Sequence, residues 1–193
     1  MTFSPFKKTV AVFASALLLQ GCVAALLGGG AVATKVGTDP RTMGTQVDDE
    51  TLEFKVENAL EKDAQIKSEG RVSAVSYSGR VLIIGQVPNS GVKETASDLA
   101  RGVDGVGTIY NELTIGPKIS IGQISKDSWI TTQVKSKMLV DDRVKSTDVK
   151  VITENSVVYL LGSLTQSQAE AAADIASRIS GVNKVVKVFK YLN

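Results

Sequence analysis

The apolar positions of this chain repeat themselves. Leu52, Val56, Leu60 and Ile66 recur 78 residues later as Ile130, Val134, Met138 and Val144, and Asp63, Lys67 and Ser68 recur as Asp141, Lys145 and Ser146. The run Val81-Leu82-Ile83-Ile84-Gly85 returns at an offset of 77 as Val158-Tyr159-Leu160-Leu161-Gly162. Ala96, Asp98, Leu99, Ala100, Gly105 and Val106 return at 76 as Ala172, Asp174, Ile175, Ala176, Gly181 and Val182. A self-match of this length, with its gaps confined to turns, predicts two copies of one fold.

Each copy opens on apolar residues at i, i+4 and i+8, the spacing of a helix face. A strand pair follows, predicted over residues 71–76 and 80–86 in the first copy and 148–153 and 156–162 in the second. The joints are Ser78-Gly79 and Glu154-Asn155, since Gly and Asn tolerate the positive φ of tight turns. An alanine-rich helix comes next, over 92–101 and 167–180, each followed by a Gly stop signal. A β-branched strand closes each copy, over 106–115 and 183–192. Three strands bury one apolar face only if both helices cover it. The order helix, strand, strand, helix, strand therefore predicts two tandem α+β two-layer sandwiches, at residues 46–116 and 125–193, joined by a linker at 117–124.

Ahead of the repeat, Lys7 and Lys8 precede an uncharged run from Thr9 to Leu19, too short to span a bilayer and patterned as an export signal. It ends at Leu19-Gln20-Gly21-Cys22, which places the single cysteine of the chain after a small residue. This run resembles a bacterial lipobox. The resemblance implies that residues 1–21 are removed, that Cys22 carries a thioether-linked diacylglycerol and an acyl chain on its new amino group, and that the mature chain is membrane-anchored without a transmembrane helix. Val23, where an Asp would hold such a protein at the inner membrane, implies the inner leaflet of the outer membrane. Residues 22–45 read as the acylated cysteine and a flexible Gly, Ala and Thr-rich tether, with an r.m.s. reach of about 25–30 Å.

Composition closes several kinds of chemistry. The chain has no histidine, and acylation of Cys22 leaves no free thiol. Zinc hydrolysis and serine–histidine or cysteine–histidine catalysis are thereby excluded. Gly28-Gly29-Gly30 lies beside the anchor with no strand before it, so it reads as spacer and not as a phosphate-cradling loop. We expect no catalytic residues, no metal, no cofactor and no nucleic-acid partner.

The element order, the strands ending Leu-Ile-Ile-Gly85 and Tyr-Leu-Leu-Gly162, and the Gly-Val pairs at 105–106 and 181–182 resemble the BON domain of bacterial envelope proteins. A lipobox followed by two such domains is similar to the dual-BON outer-membrane lipoproteins. Thr38-Asp39-Pro40-Arg41, Gly44-Thr45-Gln46-Val47-Asp48-Asp49, Trp129-Ile130-Thr131-Thr132 and the run Ala171 to Arg178 carry that likeness. It covers nearly the whole chain. It implies a protein without enzyme activity that binds phospholipid, supports outer-membrane integrity and is recruited to division sites.

The repeat also supplies an internal control, because features of one copy only are candidates for function. Residues 46–116 hold 7 Lys or Arg against 12 Asp or Glu, a net of −5, and residues 125–193 hold 10 against 7, a net of +3. The second copy alone is poised to meet an anionic surface. On a helical wheel Ile130, Val134 and Met138 point to the core, while Trp129, Leu139 and Val140 lie outside that stripe with Lys135 and Lys137 beside them. The first copy places Thr51, Glu61, Lys62, Glu57 and Ala59 at those five positions. Trp suits the headgroup region of a bilayer, and Lys reaches phosphates while lying over apolar surface. The expected phospholipid-binding face comprises Trp129, Gln133, Lys135, Ser136, Lys137, Leu139 and Val140, with phosphatidylglycerol or cardiolipin as the anionic ligand. Two other readings stay open. Trp129 could pack on the first copy or the linker, or the face could dock an envelope protein partner. Phe54, off its stripe and without basic neighbours, reads as an interdomain or local packing residue.

Overall fold

The computed structural model describes residues 43–192. Its elements run α1 (Met43–Leu60), α2 (Ala64–Glu69), β1 (Arg71–Tyr77), β2 (Arg80–Val87), α3 (Ser90–Arg101), β3 (Thr108–Asn111) and β4 (Thr114–Ile115) in the first domain. The second has α4 (Ile121–Leu139), a 3-10 turn (Ser146–Asp148), β5 (Val149–Glu154), β6 (Val157–Leu164), α5 (Gln166–Ser177) and β7 (Lys184–Tyr191).

Each domain pairs its hairpin antiparallel and adds its last strand parallel to the middle one, so β2 and β6 are central. In the second domain β7 pairs along all of β6. In the first the closing strand is broken into β3 and β4, which pair with β2 in succession. The break is local: Asn111 turns its Nδ2 to Lys93 O at 2.8 Å and Ser97 Oγ at 2.6 Å, and its Oδ1 accepts from Leu113 N at 3.1 Å. Leu113 is thereby buried.

Both expected helical stripes are interior. Leu52, Val56 and Leu60 pack with Val81, Ile83, Val92, Ala96 and Ala100, and Ile130, Val134 and Met138 pack with Val158, Leu160, Ala169, Ala172 and Ala176. The glycine that ends each central motif has a steric reason. A Cβ at Gly85 would sit 1.9 Å from Arg71 O, and one at Gly162 would sit 2.5 Å from Asp148 O. Gly85 also holds φ at +126°, a region L side chains rarely adopt.

Several boundaries move. The segment expected as tether to residue 45 is helical from Met43, and the linker expected over 117–124 is shortened because α4 begins at Ile121. Ser120 sets that start, its side chain accepting from Gln123 N at 3.2 Å. The second hairpin turns at Asn155-Ser156, both with positive φ, one residue later than Glu154-Asn155. α5 stops at Ser177 instead of residue 180, with Arg178 as its C-cap.

The two turns share a device that the periodicity does not reveal. Asp49 accepts from Ser78 N at 2.7 Å and Gly79 N at 3.0 Å, and Asp127, its equivalent 78 residues on, accepts from Asn155 N at 2.7 Å and Ser156 N at 2.8 Å. Both carboxylates are buried. An acid on the opening helix thus satisfies the turn's backbone donors and holds the left-handed residues in place.

The faces of the sheets turned away from the helices are also buried. Val75, Tyr77, Leu82 and Ile84 of the first domain form one apolar cluster with Tyr159, Leu161 and Val188 of the second. The sheets therefore pack on each other, giving four layers in the order helices, sheet, sheet, helices. This explains why β2 and β6 are apolar without alternation: each is covered on both sides. Burial pushes the Tyr159 phenol well above its ordinary pKa, with the charges of Glu112 and Glu154 acting in the same direction.

Polar groups ring this seam. Glu154 accepts from Arg71 Nη1 and from Gln86 Nε2, Lys150 Nζ donates to Glu53 Oε1 at 2.6 Å, and Gln86 Oε1 accepts from Ile119 N of the linker at 3.2 Å.

Candidate functional site

Helix α4 presents the site because its two sides differ in kind. Ile130, Val134 and Met138 anchor it to the second sheet, and Thr131 Oγ1 meets Thr153 Oγ1 at 2.7 Å on β5. With the helix held in this way, its outer face is fixed in direction.

That face carries the residues expected from the sequence. Trp129 is 50% exposed, Leu139 74% and Val140 78%, and Lys135, Ser136 and Lys137 are exposed around them. Gln133 is half-buried at the margin. The alternative in which Trp129 packs into the first domain or the linker does not match this exposure. The face is also longer than a wheel drawn from residue 129 implies. Ile121, in a segment expected as linker, is 83% exposed on the first turn of α4. Ile121, Ser125 and Trp129 follow the i, i+4, i+8 spacing of one side. From Ile121 to Leu139 the helix rises about 27 Å, at ~1.5 Å per residue. The signal that could find this extension is the N-cap Ser120, which starts the helix inside the expected linker.

The equivalent helix of the first domain is exposed but differently charged. Phe54 is 67% exposed, so the expectation that it packs between domains or locally is corrected. It sits on α1 one and two turns from Glu50, Glu57 and Glu61, and i, i+7 from the exposed Val47. Phe54 thus has acidic residues at neighbouring positions, where Trp129 has Lys135 and Lys137 six and eight residues further along.

Beyond the end of α4, Asp141, Arg143, Asp174 and Arg178 form a surface ion-pair cluster. The Arg143 side chain donates to Asp141, which holds that carboxyl down at a pKa of about 2, and Asp141 in turn raises the Arg143 guanidinium further above its ordinary range. No group of His, Cys, Asp or Glu among the described residues has an arrangement that could hold a metal ion. No helix among them is long and apolar enough to cross a membrane. Cys22 and the rest of the lipobox lie outside the described residues.

Comparison with known proteins agrees with this architecture. The BON domain family model matches twice, at residues 48–117 and 126–193. The chain is 74% identical to Outer membrane lipoprotein DolP of Haemophilus influenzae over 193 residues, the whole of both chains. It is 56% identical to the 21 kDa hemolysin of Actinobacillus pleuropneumoniae over 154 residues, 80% of this chain and 79% of that one. It is 32% identical to Osmotically-inducible protein Y of Escherichia coli over 154 residues, 78% and 76% of the two chains. With two matched domains and full-length likeness of this order, the chain belongs to the BON domain family, as an outer-membrane lipoprotein built on a tandem pair of such domains.

Proposed function

We propose that the protein is a non-enzymatic lipoprotein that binds anionic phospholipid through α4 of its second domain, supports outer-membrane integrity and is recruited to division sites. The observation that carries the reading is the exposed row Ile121, Trp129, Leu139 and Val140 with Lys135 and Lys137 beside it, on a helix whose other side is locked into a core. Several large apolar residues exposed on one side of a helix that is otherwise locked in a core point to contact with a protein or a membrane. The lysines favour the membrane. Each basic residue near an anionic leaflet adds about 1 kcal/mol, while an aromatic and aliphatic row supplies the apolar burial. The first domain, with net charge −5 over residues 46–116, is repelled by the same leaflet, so attraction orients the molecule with its second domain down. Acylation at Cys22 would fix the chain to the bilayer, and the tether expected from the sequence would have a reach of about 25–30 Å. At that range headgroups are present at an effective concentration of millimolar order, so a weak site is occupied.

The test uses the processed chain with Cys22→Ala, sedimented with vesicles of phosphatidylcholine with and without phosphatidylglycerol. Binding that requires the anionic lipid and falls with Trp129→Glu supports the reading. Trp129→Glu binding at low salt as well as the parent overturns it. Loss of a protein partner through the same substitution would then assign the face to docking.

A further inference from the structure

At the C-terminal end of α4 a cleft of about 430 Å³ opens between this helix and the end of α5. Its volume is within the roughly 300–1,000 Å³ of small-ligand sites. Ile175 and Ile179 form the apolar part of its wall, and Lys137, Arg143 and Arg178 bring positive charge to it. Val140 and Lys137 belong both to this cleft and to the exposed face of α4, so the two surfaces are continuous.

The duplicated domain shows which of these residues the fold requires. Ile175 and Ile179 match Leu99 and Val103, and Asp141 and Asp174 match Asp63 and Asp98. The shared acid has a local task in both copies: Asp63 accepts from Gln65 N at 2.9 Å, and Asp141 accepts from Arg143 N at 3.0 Å. Two of the cations have no counterparts: Lys137 and Arg143 stand where the first domain has Ala59 and Gln65, and that domain folds without them. Arg178 stands at the position of Gly102, one residue past Arg101, which pairs with Asp98 as Arg178 pairs with Asp174. The second copy has thus added Lys137 and Arg143 beside an arginine–aspartate pair that both copies carry.

Their geometry is that of a prepared anion site. Arg143 is held by Asp141 through Nε at 2.9 Å and Nη2 at 2.8 Å, and Arg178 by Asp174 through Nε at 2.9 Å and Nη2 at 2.8 Å. Asp174 also lies 3.4 Å from Arg143, so one carboxylate stands between two guanidiniums. Each guanidinium has five N–H donors; Arg143 directs four of them to the two acids and Arg178 two to Asp174, which leaves one and three for a ligand. Three cations against two acids leave the cleft net positive.

We propose that this cleft is a headgroup subsite in which Arg143 and Arg178 grip the phosphodiester of an anionic lipid while Trp129 and its apolar neighbours enter the bilayer. It rests on the reading that α4 meets lipid. The fork of a guanidinium fits two phosphoryl oxygens, which a point charge does not.

The experiment follows the arginine Nε–H signals of the processed Cys22→Ala chain by NMR. It titrates short-chain phosphatidylglycerol below its micelle concentration, and separately inorganic phosphate. The lipid is expected to shift the Arg143 and Arg178 signals, with and without Trp129→Glu, and phosphate to shift them far less. Arg143→Gln with Arg178→Gln should weaken binding to phosphatidylglycerol vesicles at least about tenfold, the scale of losing even one of the two charge-assisted contacts. Arg143→Lys with Arg178→Lys, which keeps the charge, should still weaken it several-fold. Arginine signals that stay still, an equal response to inorganic phosphate, or a lysine pair that binds like the parent would each overturn the subsite. Trp129→Glu that leaves vesicle binding intact would instead strike the helix-face reading, and the arginine signals would still judge the cleft.

Discussion

Gln86 and Glu154 meet across the domain boundary, the Gln86 Nε2–H donating to Glu154 Oε1 at 2.7 Å with both side chains almost wholly out of water. Arg71 donates to the same carboxylate oxygen, and Gln86 Oε1 takes the backbone N–H of Ile119, so one pair of residues ties both sheets and the linker together. The seam behind them is apolar, from Leu82 and Ile84 to Tyr159 and Leu161. Two domains joined in this way should unfold as one.

Glu154→Ala tests that coupling. It leaves Arg71 and Gln86 without their acceptor, and should cost about 2–3 kcal/mol, less than the roughly 3–5 of a fully buried pair because the Arg71 side chain is a third exposed. Differential scanning calorimetry of the parent should give one transition, and the variant should give a lower and broader one as the seam loosens. Two resolved transitions in the parent would contradict the coupling.

Asp127→Ala should destabilise the second domain by about 2–3 kcal/mol, since it strips one buried and one part-buried turn N–H group of a charged acceptor and leaves Asn155 and Ser156 in left-handed backbone without support. Asn at 127 keeps one acceptor and should cost less. Urea denaturation of both variants checks the order, and an alanine variant as stable as the parent would show that the turn holds itself.

Much of this fold is legible in the repeat. The stripes Leu52-Val56-Leu60 and Ile130-Val134-Met138, the two hairpins and the closing strands follow from period and turn chemistry. The packing of sheet on sheet is written in the same residues but is hidden from pattern, because a run such as Val81-Leu82-Ile83-Ile84 reads as belonging to one core when alternate members serve two. Of the site, Trp129, Leu139 and Val140 emerge from comparing the copies, whereas Ile121 is concealed in a segment that reads as linker. Phe54 shows that an apolar residue off its stripe need not be buried. Arg143 and Arg178 lie 35 residues apart in the chain, and only the fold brings them to one cleft.

The ion pair at the cleft makes a pH prediction. Asp141 is depressed in the folded chain, so its interaction with Arg143 is fully present above the ordinary carboxyl range of roughly pH 4 and is lost as pH falls through about 2. The Asp141 carboxyl carbon, followed by NMR, should titrate near 2 in the parent. With Arg143→Gln it should move up toward the ordinary value. An unchanged midpoint would show that Arg143 is not the cause.

The two sides of α4 should respond oppositely to truncation, and this separates fold from function on one helix. Val134 is fully buried among Val158, Ala169 and Ala172, so Val134→Ala removes buried methyl groups and leaves a small cavity, costing about 1–3 kcal/mol. Leu139, five residues on, is mostly in water, so Leu139→Ser should change stability by no more than about 0.5 kcal/mol. On anionic vesicles the order reverses. Leu139→Ser removes part of the apolar row and should bind more weakly, whereas Val134→Ala, where it remains folded, should bind like the parent. Measuring urea midpoints and vesicle sedimentation on the same two preparations makes the contrast internal, because a general loss of fold would lower both quantities together. If Leu139→Ser bound as the parent does, the row would end at Trp129 and the C-terminal turn of α4 would belong to the arginine cleft alone.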